Sequence, residues 1–286
     1  MNVNFWLIQA FNGISYGALL FLVGSGLSLI FGVMRIVNLS HGSYFLLGGY
    51  VALTVIWTTG SWVLAIPLAS LAIGAVGLVM ERVFLRPLGF DPLRQVLLTV
   101  GFAFLFQQAA LDIWTGNNFD INPPAALTRS IQIGGLFLPL YRAFMIATAV
   151  VVGLVLWLAM EKTRIGAAVR ATVDDAQMAR GVGIDTSRIS MFIFALGAFL
   201  AALGGVIGGA FLGIYPGLDF EILPLAFAVV IIGGMGSLGG AAIGALIVGL
   251  ADNFGKALFP EVSYFTLYAP MALILAVKPT GLFGRE

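Results

Sequence analysis

Apolar residues fill this chain in long runs at 6–31, 42–58, 62–80, 96–115, 142–160, 190–214, 222–236, 239–256 and 264–277. A helix needs about 20 apolar residues to cross the hydrocarbon core of a bilayer. The pattern therefore predicts an all-α, polytopic integral membrane helical bundle forming one domain over residues 1–286. The seventh and eighth runs are short. They read as two half-helices or one broken span, so the expected count is eight or nine.

Polar residues gather in one island, Glu161 to Arg188, which carries nine of the 27 charged side chains. Within it Ile165, Val169, Val173 and Ala176 recur at helical spacing while Arg170, Asp174 and Arg180 point elsewhere, which predicts one amphipathic helix over about 164–181. At about 1.5 Å per residue it is roughly 22 Å long or slightly more. Arg170 and Asp174 form an i,i+4 pair, Gly181 or Gly183 supplies a left-handed end, and Asp185, Thr186 or Ser187 caps the next helix. Two readings stand side by side: a solvated connection, and a helix that docks a partner protein. The apolar stripe favours docking, since a merely solvated loop has no use for it.

Basic residues orient the bundle. Arg35, the loop 81–95 with Arg82, Arg86 and Arg94, the island with Lys162, Arg164, Arg170, Arg180 and Arg188, and the tail with Lys278 and Arg285 hold eleven Lys and Arg. Arg129, Arg142 and Lys256 are the three on the other side. The island is expected in the cytoplasm, and nine spans would also place the C-terminus there. Residues 1–30 contain no Lys or Arg, so the first apolar run is expected to stay as a membrane helix and not to act as a cleaved signal.

Composition narrows the chemistry. The chain is 60% hydrophobic and 9% charged with mean hydropathy +1.05, whereas soluble domains carry about 25% charged residues. A net charge of +1 gives nucleic-acid binding no support. Without Cys there are no disulfides and no thiol chemistry, and one His cannot build a metal site. No cofactor is expected. Gly234 to Gly239 fits the spacing of a dinucleotide fingerprint but lacks its strand–helix setting. Around Gly249 to Lys256 a P-loop fails by one residue of spacing, and by Ala257 where Ser or Thr is required. Asn38-Leu39-Ser40 fits a glycosylation site, on the wrong side of the membrane for use.

Two polar or glycine-rich breaks interrupt the apolar runs: Gly32 to Gly42 and Gly233 to Gly240. Irregular backbone at membrane depth persists only where protein or a water-filled cavity satisfies it, and transporters place substrate sites at broken helices. Both breaks are therefore pathway candidates, and both also read as tight turns at the cytoplasmic interface. Their shared Gly-x-Met start hints at an internal repeat. Asn38, Ser40, His41, Ser43 and Tyr44 are polar candidates at the first break, and Thr99, Gln107, Gln108 and Asp112 on the fourth run. His41 reads either as a substrate or proton contact or as a neutral ring bonded to backbone. Only Asp112 and Asp252 lie inside predicted spans, so a carrier driven by buried acids is disfavoured and the driving energy is expected from outside the bundle.

The loop 116–141 is expected to be irregular and outside, and with Tyr215 to Glu221 it presents Asp120, Asp219 and Glu221 as a polar outer surface. Small residues four apart, Gly13 with Gly17, Gly204 with Gly208, Gly205 with Gly209 and Gly213, and Gly236 with Gly240 and Gly244, predict close helix contacts.

Four stretches carry a resemblance: Gly26 to Gly42, Thr163 to Ala171, Gly233 to Gly240 and Lys278 to Arg285. In this order they resemble permeases of the branched-chain amino acid ABC importer family, the LivH-like subunits, over nearly the whole chain. The resemblance implies a permease in a bacterial inner membrane that forms the pathway with a second, homologous permease. It also implies two cytoplasmic ATPases, which do the hydrolysis, and a periplasmic substrate-binding protein. The coupling segment, about 161–189, would then meet an ATPase through Arg164, Ile165, Val169, Arg170, Val173, Asp174, Ala176, Arg180 and Gly181. The pathway would involve Asn38, Ser40, His41, Ser43, Thr99 and Gln107. Ser43 departs from many members, which carry an acid after His-Gly. Relatives that carry urea, short amides or aromatic acids share these motifs. An ion-coupled carrier acting alone and a passive channel are the rival classes.

Overall fold

The computed structural model describes residues 3–89, 91–133 and 135–284. Among them are eleven α-helices: α1 (Val3–Met34), α2 (His41–Thr59), α3 (Trp62–Met80), α4 (Pro92–Trp114), α5 (Leu140–Lys162), α6 (Arg164–Asp174), α7 (Ala176–Gly181), α8 (Thr186–Leu212), α9 (Leu218–Gly233), α10 (Leu238–Leu258) and α11 (Ser263–Val277). By length and composition six are fit to cross a membrane: α1, α3 with its extension to Leu88, α4, α5, α8 and α10. This is a polytopic helical membrane protein. Each of the nine apolar runs holds a helix, but α2, α9 and α11 are shorter or less apolar than such spans require.

The bundle is built around α1, which contains no charged residue and packs on α8, α9 and α10. Small residues set these approaches. A methyl on Gly26 would meet the Gly197 carbonyl of α8 at 2.6 Å, and one on Gly17 the Ala245 carbonyl of α10 at 2.7 Å. Of the predicted spacings, Gly13, Gly17, Gly204, Gly205, Gly208 and Gly244 mark helix contacts, whereas Gly213 and Gly236 lie outside helices. Tyr44, Phe45 and Tyr50 of α2 and Phe194 of α8 are the largest side chains wholly inside.

The ends of α1, α3 and α9 gather with the island and the C-terminal tail into one basic end. There Gly32 lies against Gly236, so the two sequence breaks touch. The tail returns to cap α9: the Leu282 and Phe283 amides donate to the Ile232 and Gly233 carbonyls at 2.9 and 3.0 Å. Helix ends leave such carbonyls without intrahelical partners, which explains why the tail's Gly-Leu-Phe-Gly belongs with the second break. Arg285 and Glu286 lie outside the described residues.

Two expectations need correction here. The loop 116–141 is not wholly irregular, because β1 (Ser130–Ile133) pairs antiparallel with β2 (Leu136–Pro139). Gly134-Gly135 between two alternating stretches was the available signal. The island is not one helix: Asp175 is extended (φ −153°, ψ 103°), and its carboxylate accepts from the Gln177 and Met178 amides at 2.8 and 2.9 Å. An Asp that can cap ends α6 and starts α7, and this local bonding overrides the helical periodicity. Gly183, at φ +91°, closes the segment, and Asp185 caps α8 through the Arg188 amide.

Candidate functional site

The first break reverses the chain inside the bundle. Arg35 takes φ +55°, a left-handed conformation rare without glycine, and its amide still bonds the Phe31 carbonyl. The chain then runs back alongside α1 until His41 lies beside Val23. That is eleven residues, or about 16 Å, short of the end of α1. The break is thus more than a tight turn at the helix end.

Asn38, Ser40 and His41 are fully buried there. Asn38 Oδ1 accepts from the Ser40 amide at 3.1 Å and from Ser40 Oγ at 2.7 Å, fixing the turn into α2. His41 Nε2 is 3.0 Å from the Val23 carbonyl. A carbonyl only accepts, so Nε2 carries the hydrogen. His41 Nδ1 and Asn38 Nδ2 are buried without partners. Thr99 of α4 closes another side, its Oγ1 accepting from the Leu39 amide at 3.2 Å. Gln107 does not join: it is eight residues, about 12 Å, further along α4. Gln108 bonds Asp112 at 3.0 Å on an exposed face, so these two form a local helix pair.

Sequence reasoning missed the acid that meets this cluster. Asp219 is in the first turn of α9, 2% exposed, with Oδ2 accepting from Ser43 Oγ at 3.1 Å and Oδ1 unpartnered. It does not belong to the polar outer surface. Gly42 allows this contact, since any side chain there would strike the Asp219 carbonyl. Tyr50, one heptad after Ser43 on the same face of α2, has a buried hydroxyl without a partner. Glu81 is also buried, 2% exposed, where α3 widens into a π-turn over Glu81–Leu85. The expectation that acids other than Asp112 and Asp252 stay in or beside loops therefore fails for Asp219 and Glu81, while Asp112 is exposed. Asp219 and Glu81 follow Gly-Leu and Val-Met, and burial of residues at helix ends depends on what other helices bring against them. Asp252 itself is neutralised by Lys256 at 2.8 Å. Outside the spans, Tyr215 donates to Glu221 at 2.8 Å, and burial together with that carboxylate pushes its phenol up to about 12.

The island divides into two surfaces. Val169, 3% exposed, packs with Leu29, Leu156, Met160 and Ile193, and half-buried Val173 joins them. Their apolarity is explained by this chain's own bundle, so they are not a free docking stripe. Arg170 is held inward too, donating to the Met160 carbonyl and lying 3.8 Å from Glu161. Ala176 is half-buried, and Arg180 Nε donates to Thr186 Oγ1 at 2.6 Å. The outward face holds Arg164 and Gly181 with Ile165, Met178 and Val182, which are 53%, 67% and 72% exposed. Met178 and Val182, four apart across the end of α7, are additions that a single-helix wheel obscured.

Residues 9–275 match the family model described as branched-chain amino acid transport system, permease component. The chain belongs to this family. The permease is 31% identical to the high-affinity branched-chain amino acid transport system permease LivH of Salmonella typhimurium, over 98% of this chain and 96% of the relative. The same identity and coverage hold for LivH of Escherichia coli K12. It is 28% identical to the permease BraD of Pseudomonas aeruginosa, again over 98% and 96%. No solved structure matches. Such a component transports and is not an enzyme, which leaves ATP hydrolysis to other subunits. All four stretches that carried the resemblance fall at the first break, the basic end or the island.

Proposed function

We propose that this permease forms, with a second homologous permease, the pathway of an ATP-driven importer for branched-chain amino acids in a bacterial inner membrane. The observation that carries this reading is the buried polar cluster at the start of α2, beside Val23 and eleven residues short of the end of α1, in a chain of this family. A zwitterion crossing the bilayer needs neutral hydrogen-bonding groups more than fixed charges. Asn38, Ser40, His41, Ser43 and Thr99 supply them, and Gln107 lies further along the same route. The eleven basic residues at the island's end of the bundle assign that end to the cytoplasm, with eight or nine segments crossing the bilayer.

Two cytoplasmic ATPases then grip α6 and α7, and a periplasmic binding protein delivers cargo at the hairpin end. The gripping face is Arg164, Ile165 and Gly181 with Met178 and Val182. Val169, Arg170, Val173, Asp174, Ala176 and Arg180 transmit the motion into the bundle through α1, α5 and α8. Alternation between outward- and inward-open states follows from moving the island against those helices.

The test is reconstitution of this permease and the second permease in liposomes with the ATPases and the binding protein. Leucine uptake that requires ATP and both partners is the expected result. Uptake by the permease alone under an ion gradient would overturn it in favour of a secondary carrier, a reading that buried Asp219 and Glu81 keep in contention.

A further inference from the structure

Beneath the first break, at the basic end, lies a cavity of about 140 Å³ open on one side. Its walls come from α1, the extension of α3, the start of α4, α6, α7 and α8, so it sits where the island meets the bundle. Next to the cavity wall stands buried Met80. That residue neighbours Glu81 and accepts from Tyr44 Oη at 2.7 Å, and Ser40 Oγ lies 3.8 Å away.

Three kinds of group face it. Glu81 contributes a carboxylate that is 2% exposed and has one oxygen, Oε2, buried without a hydrogen-bond partner. Arg86 and Arg180 stand on the walls as cations, and Ser190 adds a hydroxyl. Val33 and Leu85 supply apolar surface. A bare anion would meet an unsatisfied carboxylate here, and a bare cation would meet two guanidinium groups. A ligand with both charges and a short apolar body meets all three kinds of wall. A protein cavity of about 150 Å³ holds one benzene ring, so this cavity, open on one side, is on the scale of a single small amino acid.

We propose that this cavity is a second binding site, for a free zwitterionic amino acid on the cytoplasmic side, and that its occupation slows transport. The ammonium faces Glu81, the carboxylate faces Arg86 and Arg180, and the side chain lies against Val33 and Leu85. Because the walls belong both to the island and to the bundle, a bound amino acid ties together parts that must separate in each cycle. Accumulated product thereby restrains its own import. The identity of the cargo in this inference rests on the function proposed above.

The experiment uses the assembled importer, permeases with ATPases, in nanodiscs without the binding protein, and measures binding of radiolabelled leucine. Saturable binding is expected, weakened at least tenfold in Glu81→Gln and in Ser190→Leu, which fills the cavity without touching the carboxylate. Isocaproate, which is leucine without the ammonium, and isopentylamine, which is leucine without the carboxylate, should compete at least tenfold more weakly than leucine. Basal ATP hydrolysis should fall with leucine over the same concentration range, and Ser190→Leu should remove that fall. No binding at millimolar leucine, equal competition by either analogue, or hydrolysis indifferent to leucine overturns the proposal. A parallel uptake assay with the binding protein separates the two ideas: ATP-driven uptake without this binding sinks the cavity site alone, and absent uptake sinks the importer.

Discussion

The division of the island into an inward and an outward apolar face predicts that Val169 and Ile165 fail in different ways. Val169 is 3% exposed against Leu29, Leu156, Met160 and Ile193, whereas Ile165 is 53% exposed. Replacing Val169 by Ala removes two buried carbons at about 0.8 kcal/mol each, and the cavity left behind raises the loss to about 2 kcal/mol. At roughly 2–4 °C per kcal/mol for a chain somewhat smaller than this one, the apparent melting temperature of the purified permease drops by about 4–8 °C. Ile165→Ala sits on a surface where substitutions stay within about 0.5 kcal/mol, so its melting temperature shifts by at most about 2 °C. Its ATPase co-purification and ATP-dependent uptake, in contrast, should fall at least fivefold. Fluorescence-detected melting of both variants in one detergent, followed by pull-down with the ATPases, measures the two effects separately. A Val169→Ala permease that melts normally yet no longer binds its ATPases would refute the packing assignment. So would Ile165→Ala melting lower than Val169→Ala. A double aspartate substitution at these positions cannot make the distinction, because a carboxylate buried at Val169 costs several kcal/mol by itself.

Further consequences follow from single contacts. Gly42→Ala forces a methyl into the Asp219 carbonyl and should cost at least about 1–3 kcal/mol, seen as lower melting temperature and reduced yield of folded permease. Melting unchanged from the parent would show that α2 and α9 are not so close. Ser43→Ala removes the hydrogen bond to Asp219 Oδ2 and leaves that carboxylate with less compensation; a loss of about 1–3 kcal/mol is expected, and the double variant with Asp219→Asn should recover part of it. Purely additive losses in that cycle would argue against the contact. Ending the chain at Val277 strips the amides that meet Ile232 and Gly233, so hydrogen exchange at the end of α9 and the start of α10 should rise while the hairpin end stays protected. Uniform exchange behaviour would remove the tail's capping role.

Much of this architecture was legible as a string of residues. The spacing of apolar runs located the helices because a bilayer, or the interior of a bundle, demands about the same run length wherever it occurs. Glycines four apart marked α1 against α10 and α8, since only small residues let backbones meet. The polar letters Asn38, Ser40 and His41 marked the first break because an apolar medium tolerates such groups only at sites built to bond them. Tertiary structure alone decided which groups meet. Ser43 faces Asp219 across a sequence separation of 176, and no local rule says that α9 begins beside the start of α2. Glu81 reads as a loop residue until α8 and α4 pack against its turn. Val169 and Ile165 carry the same apolar message in sequence, and only the neighbouring helices determine that one is core and the other surface. Hydrophobic periodicity reports that a face avoids water; the partner that covers it is fixed by the packing of distant segments.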